Sequence, residues 1–163
     1  MAAIAPSRAS RALLAVLLLP AFAYPQAPGN DTNQQSAAAR AVLGYVAAAL
    51  TAGNAADAMT PFEKSFPNYD TLNSYFNGLV NAFYVSNEIE VLDEDNGTNE
   101  MKLSVRWAIT LTDLQTDYTE HRSAELNLHM VCKGGKWKIA DLAPISLFDP
   151  AARQTRQDNS PHS

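Results

Sequence analysis

The sequence predicts an α+β domain in which three N-terminal helices pack on a curved antiparallel β-sheet. Three observations predict it. Ala38–Leu50 and Leu72–Phe83 carry apolar residues at helical spacing. Met101–Thr112 alternates apolar and polar residues at period two, and it does so for long enough to demand curvature. Tyr118–Cys132 and Lys136–Leu142 then flank the turn Lys133-Gly134-Gly135. With 47% hydrophobic residues in 163, the chain supports one domain with a real core.

Residues 1–23 read as a signal peptide and are set apart from the fold. Arg8 and Arg11 make a basic start, Ala12–Ala23 is an apolar run, and Ala21-Phe22-Ala23 offers a small-x-small cleavage pattern. The run is shorter than the roughly 20 apolar residues of a spanning helix. No cysteine follows it to carry a lipid. A secreted or periplasmic protein without a stable membrane anchor is therefore expected. Cys132 is the only cysteine, so packing rather than a disulfide within the chain must hold the fold. Loss of Arg8 and Arg11 takes the formal charge of −5 to −7, which speaks against nucleic acid or an anionic membrane as partner. Asn30-Asp31-Thr32 and Asn96-Gly97-Thr98 match the glycosylation acceptor pattern, although three residues match by chance.

Residues 24–35, rich in Pro, Gly, Asn and Gln, read as a flexible lead-in to a domain over 36–149. Ala38, Val42, Leu43, Val46, Ala47 and Leu50 form one helical face, with Ser36 as N-cap and Gly53-Asn54 as the stop. Ala55–Met59 reads as a short second helix running into Thr60-Pro61, where a proline can only open a new turn. After the break Phe66-Pro67-Asn68, Asn68 or Asp70 can cap a third helix. Its face is Leu72, Tyr75, Phe76, Leu79, Val80 and Phe83, and such aromatics suit a helix laid across a sheet. Gly78 within it predicts a close backbone approach to that sheet.

Glu88–Val91 alternates as a strand, and Asp93–Asn99 is a polar turn containing Asn96-Gly97. Met101, Leu103, Val105, Trp107, Ile109 and Leu111 share one face of the next strand. In the third, Ala124, Leu126, Leu128, Met130 and Cys132 do so. Trp137 and Ile139 point inward in the last, with Lys136 and Lys138 outward. One buried and one wet face is how an antiparallel sheet packs on helices. Residues 150–163 read as a disordered polar tail.

Four pieces, in order along the chain, resemble the nuclear transport factor 2-like superfamily. They are the helix-to-helix step Leu50–Asp57, the strand Val105-x-Trp107, the hairpin Gly134-Gly135-Lys136-Trp137-Lys138-Ile139, and the closing Pro144…Phe148. The resemblance is to its secreted bacterial members and implies the cystatin-like cone fold shared with polyketide-cyclase-like and ketosteroid-isomerase-like proteins. It also implies a pocket between the concave sheet face and the first and third helices. The Asp–His pair used by dehydratase and cyclase relatives has no counterpart here, which argues against enzymatic activity.

Candidate ligand contacts follow from strand parity. Arg122 shares the face of Ala124 and Leu126, Glu120 lies two residues before it, and Asp141 shares the parity of Trp137 and Ile139 unless a bulge intervenes. An inward guanidinium suits a carboxylate or enolate through bidentate hydrogen bonds; the alternative is a structural pair with Glu120 or Asp141. Tyr75 and Trp107, from the apolar faces, complete the candidate set, although a tyrosine there is more often core. Asp57, at the start of the second helix, complements the helix dipole, or acts as a base. Asp113 and Asp117 read as turn residues. His121 and His129 face away from the core, roughly 27 Å apart along one strand, so they cannot share a metal. No metal and no cofactor is expected, and Cys132 reads as a small buried hydrophobe.

The expected function is therefore a non-catalytic domain that binds a small amphipathic ligand or a partner. A homodimer through the outer sheet face would use Ser104, Thr110, Ser123, Asn127 and His129. The competing expectation is an isomerase or cyclase in which Arg122 polarises a carbonyl and Asp57 or Asp141 moves a proton.

Overall fold

An antiparallel meander carries the fold. The computed structural model describes residues 29–152, with side chains from residue 33 onward. Its sheet runs in the order β1 (Phe83–Asn96), β2 (Glu100–Asp113), β3 (Thr119–Lys133), β4 (Lys136–Ala143). Helices α1 (Gly29–Thr51), α2 (Ala55–Met59) and α3 (Tyr69–Ala82) precede it, and a 3-10 turn, Ile145–Phe148, follows. The α+β class and the three helices on one antiparallel sheet are as the sequence predicts. The signal peptide assigned to 1–23 lies outside the described residues, as does the tail from 153.

Several boundaries differ for physical reasons. α1 begins at Gly29 rather than at Ser36, because no proline interrupts Gly29–Thr51. The lead-in assigned to 24–35 is thus helix from residue 29. Ser36 is no cap: it is buried inside α1 and donates its hydroxyl to Glu94 Oε1 on β1 at 2.7 Å. Asn68 holds the N-cap position of α3 without a side-chain hydrogen bond. Phe83, placed by periodicity on the helix, is already strand; its N–H closes α3 on the Leu79 carbonyl. The chain passes from α3 into β1 with no loop between. The nearest neighbour of the Gly78 backbone is Pro150 rather than the sheet. A Cβ there would lie 2.7 Å from Pro150 Cγ, so Pro150 packs on α3 instead of leaving it.

β1 and β2 slip register at Leu92, and β3 and β4 at Ala140. The second bulge resets the inward parity of β4 from Ile139 to Leu142, both fully buried. The outer edge of β4 is covered by the segment after α2. Glu63 N–H donates to the Ile139 carbonyl at 2.8 Å, and Ile139 N–H to that of Pro61 at 2.9 Å. The β3–β4 turn uses Gly134 and Gly135 at φ +57° and +75°, the left-handed pair that a two-residue hairpin needs.

A chain of aromatic rings fills the space between helices and sheet. Phe148 stands edge-on to Trp107 with centroids 5.3 Å apart, and edge-on to Phe76 at 5.2 Å. Phe62 continues the chain 6.1 Å from Phe76, with Phe66 a further 6.0 Å on. All five are buried.

A candidate ligand groove at one end of the sheet

The aromatic chain decides what the cone interior can do. Trp107 is 1% exposed, and its indole N–H donates to Asn87 Oδ1 at 3.0 Å. The Asn87 amide in turn donates to the Ala47 carbonyl at 3.1 Å and to Thr51 Oγ1 at 3.2 Å. Trp107 thus pins the end of α1 to the sheet and belongs to the core. It is not available as a ligand contact, a correction to the parity argument: sharing the concave face does not mean facing empty space. Tyr75 likewise sits half-buried against the core on α3.

Arg122 and Glu120 do come together. On β3 both point to the concave side, two residues apart as the pleat requires. Arg122 Nε donates to Glu120 Oε1 at 2.9 Å and Nη2 to Oε2 at 3.1 Å, a fork-to-carboxylate pair. Arg122 Nη1 donates to the Asp149 carbonyl at 2.6 Å. The arginine side chain is only 4% exposed and that of the glutamate 21%. The pair forms the floor of a groove of about 850 Å³ walled by Phe83, Asp113, Tyr118 and Pro150.

The β2–β3 turn holds one wall in place. Asp113 Oδ1 accepts the N–H groups of Gln115 at 2.9 Å and Thr116 at 2.8 Å. These bonds, first that of Gln115 and then those of Thr116, hold the Asp113 carboxyl below its ordinary 3.8. Asp113 N–H donates to the Tyr118 carbonyl at 2.8 Å, and Asp117 takes the left-handed φ of 58°. Both aspartates are turn residues, as the sequence suggests.

The remaining candidates lie elsewhere. The bulge at Ala140 turns Asp141 outward, where its Oδ1 accepts Leu142 N–H at 2.9 Å. Asp141 is therefore no concave-face ligand. Asp57 opens α2 in a reciprocal pair: Asn54 Nδ2 donates to Asp57 Oδ2 at 2.6 Å, and Asp57 N–H to Asn54 Oδ1 at 3.1 Å. The constellation of Arg122 with Asp57 or Asp141 is not assembled. His121 pairs with Thr110 Oγ1 at 2.9 Å and His129 with Glu100 at 3.2 Å, each on the outer face. Cys132 is half-buried rather than fully enclosed, because it sits at the β3–β4 hairpin end opposite Trp137.

Sequence reasoning missed Phe83, Tyr118, Pro150 and the Asp149 carbonyl. Tyr118 was legible, since it stands two residues before Glu120. Phe83 was hidden by its helical spacing and Pro150 by its place in an assumed tail.

No family model matches the chain, and no curated protein matches it. Solved structures do. A protein of unknown function from Mycobacterium tuberculosis is similar at TM-score 0.62 and 12% identity, over 71% of this chain and 73% of that one. A provisionally named scytalone dehydratase from Novosphingobium aromaticivorans is similar at TM-score 0.62 and 14% identity, over 69% and 85%. A nuclear transport factor 2-like superfamily protein from Salmonella enterica is similar at TM-score 0.53 and 8% identity, over 69% and 89%. At these identities the likeness is one of fold, and the fold is the nuclear transport factor 2-like cone. Proteins that share it bear dehydratase and isomerase-like names as well as none, so fold alone assigns no role.

Proposed function

We propose that this chain is an exported, non-catalytic domain that binds a small amphipathic ligand in the groove floored by Arg122 and Glu120. The observation that carries the reading is the aromatic chain Trp107–Phe148–Phe76–Phe62, which occupies the volume where an enclosed reaction chamber would lie. The groove at the sheet end offers a ligand ring faces, a proline and a paired ionic floor. Such a mixture of apolar wall and a few fixed polar groups is what small-molecule sites are made of. Export rests on Arg8, Arg11 and the apolar run behind them.

A thermal-shift screen of the full chain against amphipathic metabolites tests this. A ligand at 100 times its dissociation constant adds about 2.7 kcal/mol, which is several degrees for a domain of this size. The shift should come with amide perturbations at Gln115, Thr116 and Ala151 around the groove. Silence across a chemically broad panel sinks the reading.

For the outer face we propose a second copy of this chain as partner. Its central positions are locally satisfied: Ser104 Oγ donates to Glu125 at 3.0 Å, Arg106 pairs with Glu90 at 2.6 Å, Thr110 bonds His121, and Ala108 and Ser123 stand opposite each other. A sheet face whose polar groups are largely paired within it can lie on its own image. Sedimentation velocity should find a dimer, and Ser123→Arg should convert it to monomer. A wild-type monomer at the highest soluble concentration ends the idea.

A further inference from the structure

We propose that the groove selects an organic cation with an apolar body: an amine or quaternary ammonium carried on an aromatic or alicyclic framework. This rests on the groove being the ligand site. It reverses the sign that a lone inward arginine would suggest. The guanidinium of Arg122 is spoken for, because Glu120 takes Nε and Nη2 and the Asp149 carbonyl takes Nη1. An incoming anion would compete with a fork already closed on a carboxylate and would meet an arginine that is only 4% exposed.

Among the described residues, the carboxylates at and near the rim outside the Arg122–Glu120 pair are those of Asp113, Asp117 and Asp149. Asp113 stands in the wall, anchored by two backbone N–H groups. Asp117 lies in the same turn, and Asp149 is held beside the floor by Ala151 N–H at 2.9 Å. The chain as a whole carries −5, so its field also draws cations. Carboxylates alone would make only a cation-friendly rim. The ring of Tyr118, 65% exposed, and that of Phe83 supply the faces over which a cation with an apolar body settles. The volume of about 850 Å³ fits a small molecule rather than a folded partner.

The test uses the full chain, isotope-labelled, and three probes with one phenyl body: phenethyltrimethylammonium, 2-phenylethanol and 3-phenylpropionate. Titrations followed at the Gln115, Thr116 and Ala151 amides should rank them cation, alcohol, anion, with the cation about tenfold tighter than the alcohol. Added salt should weaken the cation and leave the alcohol unchanged. Tyr118→Ala should weaken the cation about fivefold without moving the melting temperature, since the ring is exposed in the free protein. If 3-phenylpropionate binds more tightly than the cation at the same amides, the cation proposal is overturned and the groove stands as the ligand site. Should none of the probes perturb those amides, or should the cation perturb amides elsewhere, both readings fall.

Discussion

Arg122→Ala is expected to lower the free energy of unfolding by about 3 kcal/mol. The mechanism is the loss of the buried guanidinium and of every hydrogen bond it donates. With the guanidinium gone, the Glu120 carboxylate, 21% exposed in the intact pair, loses both of its forked hydrogen bonds to Arg122. The Asp149 carbonyl loses its donor too, which loosens the link between β3 and the segment after the 3-10 turn. Partial access of water to Glu120 moderates the loss and keeps it at the lower end of what breaking a buried pair costs. Equilibrium urea unfolding of wild type and variant measures it. The double variant Glu120→Gln/Arg122→Met should recover much of the loss, because it removes both charges and keeps the volume. A single variant within about 0.5 kcal/mol of wild type would contradict the structural role of the pair.

How much of this was legible in the sequence depends on which rule governed each residue. Period-two alternation placed β2 and β3 almost to their ends, because a sheet with one buried face punishes any slip in register. The same rule placed Arg122 and Glu120 on the concave side. It failed at Asp141, where a single bulged residue, Ala140, reverses the parity and nothing local in the sequence announces it. Helical spacing overran at Phe83, since a phenylalanine at the right interval serves a helix end and a strand start equally well. The lead-in and the tail failed for a common reason. Polar composition reads as lack of structure, yet the chain is helical from Gly29 and Pro150 finds the bare backbone of Gly78. The filled interior was the least legible feature. Parity puts Trp107 on the concave face, but only the distant Phe148, brought back by the 3-10 turn, determines that the face is covered.

That last point gives the largest expected effect. Phe148→Ala should destabilise the domain by about 4 kcal/mol, the transfer term of a fully buried ring plus the cost of the cavity it leaves. The cavity has rigid walls. Trp107 is held by Asn87, which is itself tied to α1, and Phe76 is braced by Phe62, so the edge-on partners of Phe148 on both sides are fixed. A void that cannot collapse stays apolar and dry, and such voids admit small apolar molecules. The variant should therefore bind benzene or a similar compound that the wild-type protein ignores, and added benzene should return part of the lost stability. Thermal unfolding with and without benzene reads both effects. The outcome bears on function as well as on stability, because Phe148 is the residue that closes the cone. If its removal opens a ligand-sized chamber beside Trp107, a single side chain separates a protein with a packed cone from one with an internal pocket. A loss of less than about 1.5 kcal/mol, with no benzene response, would mean that the ring is peripheral to the core and that the interior is not what confines ligands to the groove.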